Sequence, residues 1–401
     1  MDLSYSAEYE RFREQVRAFL AASWPPKGDE AKLDIFEQTA RFRERSIEAG
    51  FMARSIPKRY GGAERAPDVL EATIIGEEFR KAGAPGEARG IGAQMLVPTL
   101  LEHGTEAQKE RFIPATMRGD VTWCQGYSEP GSGSDLASLQ TRAVLEGDEW
   151  VINGQKIWTT GAQVADWMFA LCRTEPEHPR HAGISYIVLD MKTQGIDVRP
   201  LRTMTGIAEF NEVFFDDVRV PAENIVGRRG EGWIVSRSTL KHERNMIGGF
   251  EGVLANYRGL VDLAKNVKRN GVPAIEDSHV RQQLIEIEGY VEAHRYSGYR
   301  QLTCAARRTE PGITGMMNKL NSTNLGHRFS NLAQDLMGDA GMVSPTDGDF
   351  FGQSQLGTQG WARQYMWSLG IAIAGGTANI QRNVIAERGL GLPRDRAANR
   401  S

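Results

Sequence analysis

The opening stretch "SAEYERFREQVRAFLAASW" carries Phe12, Val16, Phe19 and Leu20 at helical spacing on one face, with Ser6 as N-cap and Glu8 in the first turn. After a loop at Pro57–Gly62 the same period returns in "DVLEATIIGEEFRKAG", which a glycine ends. Residues 1–118 are therefore expected to form a helical domain. Between about 119 and 229 the period shortens. "TRAVLEGDEWVINGQKIWTT" holds short β-rich runs separated by the turn dipeptides Gly147-Asp148 and Asn153-Gly154. "WMFALCRT", "GISYIVLDM", "IDVRPL" and "EVFFDDVRVP" continue in the same manner, which predicts an antiparallel all-β domain of about a hundred residues. From Gly232 long helical patterns resume, in "HVRQQLIEIEGYVEAHRYSGYRQLTCAARR" and again around 315–337 and 378–388. They predict a helical bundle over 230–401, interrupted by a polar, glycine-rich loop at 339–360. The fold class is thus α+β and multi-domain: helical domain, antiparallel β domain, helical bundle.

Bulk properties narrow the function more than the fold. A chain of 401 residues suits two or three domains. At 25% charged residues and a net charge of −3 it offers no surface for a polyanion, so no nucleic-acid partner is expected. Cys124, Cys172 and Cys304 are odd in number and widely spaced, which fits neither a disulfide framework nor a metal site. "MDLSYSAEYERF" turns charged at once, and no apolar run approaches the ~20 residues a bilayer span requires. The expectation is a cytoplasmic protein without membrane insertion.

Three segments carry candidate chemistry. In "CQGYSEPGSGSD" (Cys124–Asp135), Gly131, Gly133 and the small Ser132 and Ser134 let backbone N–H groups approach a pyrophosphate, with Ser128 and Ser134 adding hydroxyls. Alone, such a loop is more often a surface turn. In "NGQKIWTTG", Trp158 supplies a flat apolar face beside the hydroxyls of Thr159 and Thr160, the combination a planar heteroaromatic ring needs. Alone, a strand tryptophan is more often core. In "GGTANIQ", Gly375 and Gly376 precede Thr377, an N-cap candidate for the helix that follows. No side chain in that turn can move a proton.

Taken in order, "YSEPGSGSDLAS", "INGQKIWTTGA", "FNEVFFDDVRVPAENIVG" and "AGGTANIQRNVIAERGLGLP" resemble the acyl-CoA dehydrogenase family over nearly the whole chain. The resemblance implies a helical N-domain, a central β domain and a C-terminal four-helix bundle. It also implies FAD, an acyl-CoA substrate, an electron-transfer flavoprotein-type acceptor, and self-association as a homodimer or homotetramer, with a heterotetramer as the variant. By position, Gln125, Tyr127 and Ser128 fall at the flavin ring, and Gly133 and Ser134 near the pyrophosphate or thioester. Trp158 falls over the isoalloxazine, Thr160 near its N5, and Thr377 and Asn379 at a further FAD contact. The pattern also departs from the family. Tyr127 replaces a smaller aliphatic residue, Asp335 stands where glutamine is common, and Asp339 stands where glycine is expected. Arg269 is the nearest match to the arginine that reaches a neighbouring subunit's FAD.

The family's reaction needs a carboxylate facing the substrate α-carbon and donors on the thioester carbonyl. Many members carry that carboxylate just before the terminal Gly-Thr, where this chain has Gly375. The isovaleryl- and long-chain-type members place it on a bundle helix before an arginine, which corresponds here to Glu243-Arg244 in "STLKHERNMIGG". Glu243 lies three residues after Leu240 and four before Ile247, on their apolar face, where desolvation makes a carboxylate a better base. Arg244 borders that face and is assigned to the substrate with Ser134, Gly375 and Gly376, while His242 points away and is read as surface. The expected reaction is α,β-dehydrogenation of an acyl-CoA to the trans-2-enoyl-CoA, with Glu243 as base. A non-catalytic or half-site subunit of a heteromeric complex, and an oxidase or flavin monooxygenase relative, stay open as alternatives.

Overall fold

A computed structural model describes residues 5–178, 180–307, 309–342 and 358–393, apart from the side chains of 244–247, 305, 306, 358 and 359. The first of three parts is helical: α1 (Ala7–Ser23), α2 (Ile35–Glu48), α3 (Val69–Lys81), α4 (Val97–His103) and α5 (Glu106–Arg118). The helical spacing of α1 buries Val16 and Leu20 against Phe42, Ile74 and Phe79, with Phe12 and Phe19 at the edge of that core. Ser6 occupies the N-cap position of α1, yet its hydroxyl makes no capping bond. Asp34, Asp68 and Thr105 do cap α2, α3 and α5.

The second part comprises β1 (Trp123–Gly126), β2 (Arg142–Glu146), β3 (Glu149–Lys156), β4 (Trp167–Arg173), β5 (Ile184–Asp190), β6 (Ile196–Leu201), β7 (Phe210–Pro221) and β8 (Ile225–Val226). They form one sheet in the order β6-β7-β3-β2-β4-β5-β8, with β1 joined to β4. Along β4, Met168, Ala170 and Cys172 enter one core while Phe169 and Leu171 enter the other, shared with Leu96, Phe112 and Ile113 of the helical part. Both faces are dry, which is why that strand reads as a continuous apolar run.

Two details correct the sequence expectation. The sheet is not wholly antiparallel: β1 runs parallel to β4, and β2 meets β4 in parallel at Arg142 and Arg173. The long excursion through 127–166 between β1 and β4 leaves the chain free to return in the same direction. Asn153-Gly154 is not a hairpin turn either, but a bulge inside β3 where its register with β7 shifts. A Cβ on Gly154, at φ +147°, would lie 2.7 Å from Thr141 Cα, so only glycine fits there.

The third part opens with α6 (Gly232–Ile247), which packs on β5, on the π turn Gly92–Leu96 leading into α4, and on α9 (Ile313–Met337). Between α6 and α9 come α7 (Phe250–Asn266), the hairpin β9 (Lys268–Arg269) and β10 (Val272–Pro273), and α8 (Ser278–Ala306). The third part closes with α10 (Thr358–Ile371) and α11 (Ala378–Val384). Helices α7 to α10 pack as a four-helix bundle around Leu260, Val291, Phe329, Leu332 and Trp361. The loop expected at 339–360 is shorter than that. Gly338–Met342 is a 3-10 turn, 343–357 lie outside the described residues, and α10 begins at Thr358 with Trp361 fully buried. Among the described residues no helix is long and apolar enough to cross a membrane.

Candidate active site

Where β1 ends, the chain folds into a tight turn in which the Glu129 and Ser132 amides donate to each other's carbonyls at 2.8 and 3.0 Å. That reciprocal pair leaves Gly131, Gly133 and Ser134 on the outside of the turn, exposed. The Glu129 carboxylate points inward, accepting from the amides of Gln140 (2.6 Å) and Thr141 (2.9 Å) and from Lys156 Nζ (2.7 Å). Burial pushes its pKa up. The Lys156 charge and the converging donors outweigh that and hold it below the usual carboxylate range. Lys156 also donates to Tyr127 O at 3.2 Å, and the Ile157 amide to Ser128 O at 2.9 Å. The glycine-serine turn and the tryptophan loop are therefore one rigid unit. A groove of ≈ 470 Å³ runs beside it, lined by Gly131, Ser132, Gln140, Thr141, Gly154 and Gln155.

Trp158 sits at φ +60°, an uncommon conformation for a bulky residue, and is 57% exposed. The neighbouring residue holds it there. The Thr159 amide donates to Asn211 O (3.1 Å), while Asn211 N and Nδ2 donate to Thr159 O at 3.0 and 2.9 Å. Trp158 meets Phe210 edge-on (5.9 Å, 84°), and Phe210 stacks on Trp367 of α10 (6.0 Å, 13°), so the aromatic contact crosses from sheet to bundle. Thr159 Oγ1 is buried and among the described residues has no hydrogen-bond partner, whereas Thr160 is half-buried. Beside this loop Glu209, half-buried near Arg363, has its pKa raised by desolvation to about 7.

Glu243 lies on α6, half-buried and one turn beyond the fully buried Thr239. Thr239 Oγ1 is 3.0 Å from Thr99 Oγ1 and 3.5 Å from the Tyr186 hydroxyl, which fixes that face of α6 against α4 and β5. The Glu243 carboxylate is within electrostatic reach of Lys319 on α9 and of the Tyr127 hydroxyl. Burial lowers the Lys319 pKa, and Glu243 draws it back up. At the terminal turn Gly375 and Gly376 adopt φ of +62° and +95°, and Thr377 caps α11 by accepting from the Ile380 amide at 3.3 Å. Gln381 Nε2 donates to Gly375 O at 3.0 Å. Among the described residues the amides of Gly375 and Gly376 donate to no acceptor.

Three family models match along the chain: the acyl-CoA dehydrogenase N-terminal domain over residues 6–120, the middle domain over 124–218 and the C-terminal domain over 230–390. The chain is 37% identical over 396 residues to acyl-CoA dehydrogenase IpdE1 of Mycobacterium tuberculosis, covering 97% of this chain and 99% of that one. The chain belongs to the acyl-CoA dehydrogenase family. Among solved structures it superimposes on the Tcur3481-Tcur3483 steroid ACAD with a TM-score of 0.76 (29% identity, 98% of this chain, 100% of that one). On the ChsE4-ChsE5 complex from Mycobacterium tuberculosis the TM-score is 0.75 (28% identity, 98% and 100%).

Acyl-CoA dehydrogenases are FAD-dependent oxidoreductases, and this acyl-CoA dehydrogenase has the surfaces FAD requires. An exposed indole face, an orphaned buried hydroxyl on Thr159 and an exposed Gly131–Ser134 turn converge at one end of the sheet. A Cβ on Gly131 or Gly133 would meet nothing within 4 Å, so a ligand can approach that backbone closely.

Several residues stand differently from the sequence expectation. The Tyr127 side chain is 5% exposed and turns into the core, edge-on to Phe169 (5.9 Å) and Tyr186 (6.3 Å). Only its backbone is left for the cofactor groove, and among the described residues its hydroxyl makes no hydrogen bond of good geometry. Arg269 donates to Asp335 O at 2.6 Å, capping the end of α9 within its own chain. His242 is not surface but half-buried, 3.6 Å from Glu102, and desolvation lowers its pKa. Ser128, Gln125 and Ser134 border the glycine-serine turn, and Asn379 is exposed beside Arg382. The side chain of Arg244 lies outside the described residues. Glu129, Lys156, Asn211, Lys319 and Gln381 were missed in sequence, because a buried ion or amide is defined by its partners rather than by its neighbours in the chain.

Proposed function

We propose that this acyl-CoA dehydrogenase converts an acyl-CoA to the trans-2-enoyl-CoA with Glu243 as the base. The observation that carries the reading is the station of Glu243. It is a half-buried carboxylate one turn past buried Thr239, in electrostatic reach of Lys319, which in turn binds the Gly376 carbonyl. Glu243 takes the α-proton, and the C–H electron pair becomes the new double bond as the β-hydrogen leaves with its own pair. FAD held there would supply the hydride acceptor, with an electron-transfer flavoprotein-type partner as the onward acceptor. Trp158 and the hydroxyls of Thr159 and Thr160 would hold its ring, and Ser128 and the Gly131–Ser134 turn would hold its phosphates. Thr377 and Asn379 would extend that contact. The amides of Gly375 and Gly376, which have no acceptor among the described residues, would polarise the thioester carbonyl, with Arg244 and Ser134 ordering the substrate.

Gly375 stands where other family members carry a carboxylate, and a glycine there would leave room for acyl bulk. A similar solved structure is described as a steroid ACAD, and this supports a bulky, polycyclic acyl group. Two of the similar structures are pairs of different chains, which supports a heteromeric assembly. Exposed Ile373, Leu390 and Leu392 are the apolar surface such a partner would cover.

Anaerobic titration against a panel of acyl-CoA thioesters tests the reading directly. One of them, with a bulky acyl group, should bleach the flavin, and E243Q should bind FAD and thioester but not bleach. Bleaching by E243Q at near the parent rate would exclude Glu243 as base. Slow reoxidation of the reduced flavin in air would set aside an oxidase.

A further inference from the structure

Lys319 is 1% exposed, yet it is a lysine in the interior of a helical bundle. Burying an ammonium is costly unless acceptors surround it. Among the described residues its acceptors are two backbone carbonyls: Ala372 O at 3.0 Å, just past the end of α10, and Gly376 O at 2.8 Å in the terminal turn. Gln381 Nε2 takes the remaining carbonyl of the pair, Gly375 O, at 3.0 Å. The Gly376 N–H lies across the peptide plane from Gly375 O, so the Gln381 bond turns that amide away from Gln381, while Lys319 ties Ala372 O to Gly376 O across the segment that carries both glycine amides. The Gly375–Gly376 segment, with both residues at positive φ, is held with its oxygens toward α9 and Gln381, and among the described residues its amides have no acceptor.

We propose that Lys319 is a positioning residue, which by tying the Ala372 and Gly376 carbonyls together holds in place the segment whose Gly375 and Gly376 amides meet the substrate thioester, with Gln381 orienting the Gly376 amide through the Gly375 carbonyl. The inference rests on the dehydrogenase reading of the site. It accounts for a charge otherwise unexplained in the bundle and for a turn whose donors are left open. The same ammonium lies within electrostatic reach of Glu243, the group that removes the proton.

The test uses the full-length holoenzyme and the Lys319→Met and Gln381→Leu variants. Hydrogen–deuterium exchange reads the turn itself, through the amides of Ile373, Ala374, Ile380 and Gln381, all of which are bonded inside it. In Lys319→Met these should exchange at least about tenfold faster while distant strands keep their protection. Flavin reduction by the thioester found in the panel should slow by about 100-fold, with the dissociation constant of that thioester changed less than about threefold. Gln381→Leu removes the Gly375 bond and the longer 3.5 Å bond to Gly376 O while leaving Lys319 in place; it should slow reduction by about tenfold, and it carries the test alone if Lys319→Met fails to fold. Exchange within twofold of the parent in either folded variant overturns the clamp. Faster exchange with unchanged reduction overturns its role in positioning. A parent enzyme that no thioester bleaches refutes the dehydrogenase reading instead, which the exchange measurement keeps separate.

Discussion

The Glu129 carboxylate and the Lys156 ammonium meet at 2.7 Å with 7% and 0% of their side chains exposed. The pair joins the glycine-serine turn to the strand that delivers Trp158, so removing one partner strands a charge and unties two loops. Glu129→Ala should destabilise the protein by about 3–5 kcal/mol. Chemical denaturation monitored by tryptophan fluorescence measures this, and the variant should also purify with little flavin.

Trp158 should behave in the opposite way. Its ring is largely exposed and contributes little to the core. Trp158→Ala should leave stability within about 0.5 kcal/mol of the parent. It should weaken FAD binding by roughly 1 kcal/mol, a loss of about fivefold or more in affinity. Flavin fluorescence titration of the apoprotein, set beside a thermal melt, separates the two effects.

Gly376 cannot be replaced without displacing Gln381, since a Cβ there would stand 2.7 Å from Gln381 Nε2 and the residue holds φ +95°. Gly376→Ala should cost about 1–3 kcal/mol of stability. Single-turnover flavin reduction should fall further than the substrate affinity, because the change falls on the donors rather than on the acyl pocket.

Glu209 sets a pH dependence. Desolvation raises its pKa from 4.5 to about 7, with Arg363 opposing. Because the folded state binds the proton more tightly than the unfolded chain, this group stabilises the fold fully below about pH 4.5. The contribution is lost as pH rises toward 7. Melting temperatures of the apoprotein measured across that window should fall with a slope that Glu209→Gln flattens. An unchanged slope in the variant would place the titration elsewhere.

Much of the fold was legible because its signals are local. Phe12, Val16 and Leu20 announce α1 by spacing alone, and Gly147-Asp148 marks the β2–β3 hairpin. The parallel β1 and the bulge at Gly154 were not legible, since they depend on strands brought together from distant positions. α10 was hidden by flanking glycines, although Trp361, Tyr365 and Leu369 repeat at helical spacing. In the site, the glycines, Trp158 and Glu243 stand out as residue types in register with a family. Tyr127 misled because a motif position gives no side-chain direction, and in this chain the tyrosine has core to fill behind the loop. Lys319 gave no sign of itself, as a lysine in a helical pattern reads as solvated surface.

The helix that presents Glu243 belongs to no single part of the chain. On α6, Thr239 touches Thr99 from the N-terminal helices and Tyr186 from the sheet, Ser238 pairs with His103 at 2.8 Å, and the far side rests on α9. Excising any one domain would leave the other two without a floor for that helix. Loss of flavin signal, loss of strand structure and loss of helix should therefore fall on one denaturation curve, making the enzyme a single cooperative unit despite its three sequence modules.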